Sequence, residues 1–388
     1  MRVVIVGAGQ GGLQAAMSLR QEGHEGPITL IGAEPGLPYQ RPPLSKAYLK
    51  TGEAAKLTLR PEAFFDKAGI DLVSDTRIDS IDRAARQVRA GDRVWAYDHL
   101  ILATGTRNLR PPIPGLSRAL DLRSLADAER LRAALAGAKA PAVIGGGFIG
   151  LEFTAVARGL GYPVTLAEAA PRLMARAVSP QMSARFTEKH AELGTDIRLG
   201  QPVVEVTGEG LCLGDGTQVP ADLVLLAAGV LPNTELAEAA GLTLDNGIAV
   251  DAQLRSSDPA ISALGDCASF PEARRGRRVR LESVQAATDH ARAIAKRLVK
   301  GDDSPYAAVP WFWSDQADWK LQIAGLAQPT DAAVTAPSGA ILRFDGPNLS
   351  AVESVNDAKT HMTARKLLRD LPPDRDTLDA IGYDLTRI

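Results

Sequence analysis

The chain has 388 residues, with 44 Lys and Arg against 46 Asp and Glu, a net charge of −2, 45% apolar residues, 36 Gly and 25 Pro. That length exceeds what a single core serves, so two or three domains are expected, and the apolar fraction excludes a disordered or fibrous protein. Near-neutral charge removes the electrostatic ground for nucleic acid as a partner.

In chain order, the first pattern is an apolar strand over 2–6, a glycine turn Gly7-Ala8-Gly9-Gln10-Gly11-Gly12, a helix to about Glu22 and a strand over 28–31. This is a βαβ unit with a Gly-x-Gly-x-x-Gly fingerprint at its strand-to-helix turn. Pro38 to Lys46 follows as a stiff segment, and Leu100 to Gly105 reads as a further strand. Pro111-Pro112-Ile113-Pro114-Gly115 suits a hinge between packed bodies. The same text then repeats: strand 141–144, fingerprint Gly145-Gly146-Gly147-Phe148-Ile149-Gly150, a helix to Leu160, strand 164–166, and an echo of the later strand in Leu223 to Gly229. One such motif is weak evidence, but two in duplicated units predict two dinucleotide sites, one for a flavin and one for a nicotinamide.

Beyond Pro232-Asn233, the strand 261–266 and the helix 286–299 are surplus to the second unit and are expected to return to the first. After Trp313, alternating stretches such as 320–324 and 340–344, with a helix near 358–368, predict an antiparallel sheet and a helix. The expected domains are 1–109 with 238–312, then 110–237, then 313–388. The longest apolar run, 223–231, is too short to span a bilayer, so no membrane role is expected, and Met1 passes straight into a strand without room for an export signal. Only Cys212 and Cys267 occur, in no Cys-x-x-Cys spacing, which suits a reducing cytoplasm and excludes a cysteine-held iron–sulfur cluster within the chain. The five His are scattered, so no metal site is expected.

In each fingerprint the first glycine (Gly7, Gly145) allows the turn, the second (Gly9, Gly147) admits the pyrophosphate, and the third (Gly12, Gly150) lets helix and strand pack closely. The helix N-terminus behind it favours an anion. Glu168, 18 residues after Gly150 at a strand end, is placed to take ribose hydroxyls and to repel the extra phosphate of NADP, which predicts NAD. In the first unit the acid is Glu34, with Ala33 at the more usual position. The strand echoes end in Ala103-Thr104-Gly105 and in Gly229, which are counted with the cofactor contacts, as is Arg41. Lys46 is expected beside the flavin, where positive charge favours hydride acceptance, and Glu152 is expected to pair with it.

Arg41-Pro42-Pro43-Leu44-Ser45-Lys46, GGGFIGLE over 145–152, Gly265-Asp266-Cys267-Ala268, Glu282-Ser283-Val284 and Trp311-Phe312-Trp313-Ser314-Asp315-Gln316 together resemble the FAD-dependent ferredoxin reductases of bacterial oxygenase systems, the putidaredoxin reductase type. The resemblance runs nearly end to end. It implies an α/β, glutathione-reductase-like fold with two Rossmann-type dinucleotide-binding domains and a C-terminal α+β domain. It also implies non-covalent FAD in contact with Gly11, Lys46, Arg123, Asp266 and Val284, with backbone near Ile78 and with Trp313 beside the flavin ring. Asp266 has its own rationale, since a carboxylate at a Gly-Asp turn can accept hydrogen bonds from the ribityl chain.

The implied activity passes electrons from NADH through FAD to a two-iron two-sulfur ferredoxin, and so indirectly to an oxygenase, expected to be a haem monooxygenase. The chain departs from the pattern at Ala33, and it lacks the redox Cys pair that disulfide reductases of this fold carry within 39–46. Arg274, Arg275, Arg277, Arg278, Arg280 and Arg292 form a basic run suited to steering an acidic ferredoxin, or simply to solvent. The alternatives are another acceptor (rubredoxin, monodehydroascorbate or a quinone), or a redox-sensing interaction protein resembling apoptosis-inducing factor.

Overall fold

The structure is a computed structural model that describes residues 1–274, 276–370 and 372–388, apart from the side chain of Thr386. The chain forms two compact units. The first comprises Met1–Gln40, Ala55–Arg107 and Leu231–Ala308; the second comprises Arg41–Ala54, Asn108–Val230 and Val309–Ile388.

The first unit is built on a five-stranded sheet in the order Ile261–Ala263, His99–Leu102, Val3–Val6, Ile28–Ile31, Ile70–Val73, parallel throughout. Val3–Val6 and His99–Leu102 are buried at every position, as expected for strands covered on both faces. The fingerprint helix Gln10–Gln21 packs against Val284–Lys300, and small residues are buried on both helices, Gly11, Ala15 and Ala16 on the first and Ala287 and Ala291 on the second. A Cβ on Gly11 would lie 2.5 Å from Leu264 Cδ1 and 3.3 Å from Ala287 Cβ, so this glycine serves helix packing. Ser283 caps the second of these helices by accepting the Ala286 N–H, and Gly301 ends it in the left-handed region that favours glycine.

The second unit repeats the plan with a four-stranded parallel sheet, Asp196–Leu199, Thr165–Glu168, Pro141–Ile144, Leu223–Leu226. Its fingerprint helix is Phe148–Gly159. The same unit contains a five-stranded antiparallel sheet in the order Trp311–Gln316, Trp319–Gly325, Asn348–Val355, Ile341–Asp345, Ala332–Thr335, covered by the helix Ala358–Arg369. A buried ion pair ties this sheet to the fingerprint half of the same unit: Arg343 reaches Glu353 at 2.9 Å, and the Glu353 carboxylate accepts the N–H and O–H of Ser179, the N-cap of the helix Pro180–Glu192. Segment 41–54, read from sequence as part of the first domain, packs here instead. Its turn Pro42–Ser45 lies against the helix Phe148–Gly159.

Candidate functional site

The two fingerprints have the same atomic construction. Gly7 and Gly145 hold φ of 114° and 111°, and a Cβ on either would lie 2.1 or 2.4 Å from a carbonyl oxygen, Ala103 O or Ala227 O. The strand echo noted in the sequence thus has a steric meaning, because the end of that strand crosses directly over the first glycine. Gly12 and Gly150 are excluded from change by their own turns, where a Cβ would lie 1.8 Å from Gly7 O or 2.1 Å from Gly145 O.

Gly9 and Gly147 differ from these. Each has φ near −80°, open to any residue, and a Cβ on either would meet nothing within 4 Å. No protein atom requires glycine there, so the missing side chain leaves a cradle open at the mouth of the turn. Both fingerprint helices also start without a side-chain cap and without an acid in the first turn, whereas Ser124, Ser179, Ser283, Asp357 and Asp374 cap other helices. Free N–H groups facing an open cradle are the donor set a pyrophosphate needs, so both turns fit a dinucleotide.

In the first unit, Glu34 accepts the Tyr39 hydroxyl, and neighbouring Ala33 is exposed. Thr104 and Gly105 are stitched to Asn233: Thr104 Oγ1 donates to Asn233 O, Asn233 Nδ2 donates back to Thr104 O, and the Asn233 N–H reaches Gly105 O. Asp266 sits in the short turn Gly265–Cys267, where Thr106 Oγ1 donates to its carboxylate at 3.2 Å. His290 holds the same turn by accepting the Gly265 N–H on Nδ1 at 3.2 Å. Burial drives its pKa down to about 3, so the ring stays neutral and Nδ1 stays an acceptor. Val284 is the first residue of its helix, and Ile78 is buried in the core. Asn233 and His290 escaped the sequence reading, since neither belongs to a motif.

The second unit contains Arg41, Lys46, Arg123, Glu152, Glu168, Gly229 and Trp313. Glu168 is already engaged, one oxygen accepting the Gly146 N–H at 2.6 Å and the other the Ala170 N–H at 2.7 Å. Its carboxylate is therefore fixed against the glycine turn itself. Gly229, at φ 108°, accepts the Leu109 N–H. Arg41 donates to the backbone oxygen of Arg123. Trp313 is half-buried and stacks on Trp311 with ring centroids 5.6 Å apart, while its neighbour Phe312 packs on Phe148 of the fingerprint helix at 4.5 Å.

Lys46 Nζ lies 2.8 Å from Glu152 Oε2 and donates also to Pro42 O at 3.0 Å. Glu152 is 3% exposed, and its carboxylate also takes the hydroxyls of Ser45 and Ser314. Segment 41–46 thus delivers its ammonium group to the helix that begins at the second fingerprint. Ser45 and Ser314 were visible only as members of their motifs, and nothing in their spacing assigns them to one carboxylate.

The basic run is largely committed within its own unit. Arg274 reaches Glu272, Arg278 reaches Asp245 and two backbone oxygens, Arg280 reaches Glu282 and Arg292 reaches Asp289. Arg275 lies outside the described residues. Among the described residues, no helix is long and apolar enough to cross a membrane.

Residues 1–291 match the pyridine nucleotide-disulphide oxidoreductase family, and residues 311–387 match the reductase C-terminal family. The chain belongs to the pyridine nucleotide-disulphide oxidoreductases. It is an oxidoreductase of FAD and NADH with the α/β fold and C-terminal α+β portion expected from its resemblance. It is 47% identical over 382 residues to rhodocoxin reductase of Rhodococcus erythropolis, covering 95% of this chain and 89% of that protein. Among solved structures it superposes on the ferredoxin reductase for the CYP199A2 system from Rhodopseudomonas palustris with a TM-score of 0.95 and 45% identity, covering 100% and 99% of the two chains. It superposes on the reductase in the covalent putidaredoxin reductase–putidaredoxin complex with a TM-score of 0.94 and 37% identity, covering 100% and 97%.

Proposed function

We propose that the chain is an NADH-dependent ferredoxin reductase, carrying electrons to a two-iron two-sulfur ferredoxin that supplies an oxygenase, with a haem monooxygenase as the terminal enzyme. The observation that carries this reading is the Lys46–Glu152 pair, whose Lys46 lies in segment 39–46, where the disulfide-reducing members of this fold keep their cysteines. Cys212 and Cys267 are free and belong to different units, so no protein disulfide relays electrons and they leave for an external acceptor. The rhodocoxin and putidaredoxin reductases among the relatives support an iron–sulfur acceptor.

FAD supplies two-electron acceptance from NADH and one-electron release to the acceptor. The residues do the rest. In this reading the FAD domain is 1–109 with 238–312, less segment 41–54, which packs in the second unit; residues 110–237 hold NADH, and residues 313–388 form the C-terminal domain. The Gly7–Gly12 and Gly145–Gly150 turns bind the two pyrophosphates. Glu34 and Glu168 serve the riboses, with Glu168 selecting NADH, and Asp266 serves the ribityl chain, while Arg41, Arg123 and Trp313 keep the flavin-contact role that the resemblance implies. Lys46 keeps a positive charge whose position is set by Glu152 and Pro42 O. The unpaired cysteines suit a cytoplasmic location.

The test is anaerobic mixing with NADH followed by steady-state turnover with a two-iron two-sulfur ferredoxin. NADH should bleach the flavin within the turnover time, and the ferredoxin should reoxidise it repeatedly. A long-lived reduced protein that turns over with no ferredoxin would refute the reading in favour of a redox sensor.

A further inference from the structure

Glu152 is the end of a buried polar chain that continues well past Lys46. Its Oε1 takes the Ser314 hydroxyl at 2.7 Å, Ser314 Oγ takes the Gln316 amide at 3.1 Å, and Gln316 Oε1 faces His190 Nε2 at 2.9 Å. Ser314, Gln316 and His190 have no solvent exposure. All four residues belong to the second unit but come from three elements: the fingerprint helix Phe148–Gly159, the strand Trp311–Gln316 and the helix Pro180–Glu192.

Proton counting fixes the direction of every bond in this chain. The Glu152 carboxylate only accepts, so it consumes the single proton of Ser314. Ser314 Oγ must then accept from Gln316, which turns the amide NH2 toward Ser314 and its oxygen toward His190. His190 therefore carries its proton on Nε2. The ring is neutral, since burial lowers its pKa and nearby Lys189 lowers it further, although the bond to Gln316 opposes both. Its Nδ1 is buried without a hydrogen-bond partner, so the ring carries a desolvation cost there, and its one hydrogen bond is the one from Nε2–H to Gln316. A flipped Gln316 amide would leave Ser314 with two acceptors and one proton and would turn the amide NH2 away from Met174 Sδ, to which it donates at 3.8 Å; the His190 donor opposes the same flip from the oxygen side.

We propose that His190 is a positioning residue for the Lys46–Glu152 pair, acting through Gln316 and Ser314 to keep the Glu152 carboxylate turned toward Lys46. The inference rests on the reading above, in which this pair serves electron transfer from NADH. Its chemistry predicts a graded response. His190→Gln retains an N–H at nearly the same reach, whereas His190→Leu keeps the apolar bulk and removes the donor.

Flavin reduction by NADH in a single turnover should slow about threefold to tenfold in His190→Leu, the range for one buried hydrogen bond, and stay within about twofold of wild type in His190→Gln. In protein labelled with 15N at glutamine and studied as purified, the Gln316 carboxamide protons should exchange slowly in wild type and about tenfold faster in His190→Leu. His190→Leu should add nothing in a Ser314→Ala background, because the chain is already cut there, an outcome that general loosening of the core would not produce. Gln316→Met interrupts the same chain from the opposite side and gives the same slowing should His190→Leu not fold. Wild-type flavin reduction in both His190→Leu and Gln316→Met, alongside slow reduction in Glu152→Gln, would overturn the inference and leave the functional reading intact. Wild-type reduction in Glu152→Gln itself would overturn the reading on which the inference rests.

Discussion

Gly9 and Gly12 are three residues apart in one turn, yet the structure predicts opposite consequences for replacing them with alanine. A Cβ on Gly9 meets no atom within 4 Å, and the backbone there, φ −79° and ψ −165°, is accessible to alanine. Gly9→Ala should therefore stabilise the cofactor-stripped protein by about 0.4–1 kcal/mol, by narrowing the unfolded ensemble. The same methyl fills the ground a pyrophosphate would occupy. Losing one charge-assisted N–H contact costs roughly 1.5–3 kcal/mol, so FAD affinity should fall about tenfold to hundredfold.

A Cβ on Gly12 would lie 1.8 Å from Gly7 O, a backbone atom that no rotamer change can move. Gly12→Ala should destabilise the stripped protein by at least about 1–3 kcal/mol. Urea denaturation of the stripped variants, paired with flavin-fluorescence titration, separates the two effects. A Gly9→Ala protein that is less stable when stripped, or that binds FAD like wild type, would refute the assignment of Gly9 to the ligand and Gly12 to the fold.

Glu168→Ala frees the N–H groups of Gly146 and Ala170 and removes the negative charge beside the turn. NADH should bind more weakly and NADPH more strongly, so the ratio of their kcat/KM values should narrow by about tenfold or more; an unchanged ratio would dismiss Glu168 as the selector. His99 and His290 both have pKa values near 3, driven down by burial from an ordinary 6.5. As pH falls below 6.5 the unfolded chain takes up protons that the folded chain refuses. Stability should thus decline between 6.5 and 3, by at most about 1.4 kcal/mol per pH unit for each ring. Urea midpoints at about pH 7 and pH 5 should converge in the double variant His99→Asn with His290→Phe, and an equal drop in both proteins would locate the effect elsewhere. Glu353→Gln strands the Arg343 guanidinium, 3% exposed, and weakens the cap at Ser179, so unfolding free energy should fall by about 3–5 kcal/mol. A loss below about 1 kcal/mol on chemical denaturation would mean that the pair is dispensable.

Both fingerprints, the strands around them, the alternation of the C-terminal sheet and the acid at Glu168 are legible in the sequence alone. Each is a short-range rule: the turn needs glycine at fixed offsets, a strand covered on both faces reads as an apolar run, and a strand end presents its acid at a fixed distance from the turn. The steric partner of each first glycine, Ala103 or Ala227, was visible only as an echo, because its meaning depends on two strands lying side by side. The packing of segment 41–54 against the second fingerprint helix likewise had no local signal. The Lys46–Glu152 pair was expected, but the joining of Ser45, Ser314, Gln316 and His190 to it in one network was left to the tertiary structure. Hydrogen-bond partners drawn from four separated segments leave no periodicity to read; packing decides which buried donors meet which acceptors, and only then does the chemistry of one carboxylate dictate the orientation of the rest.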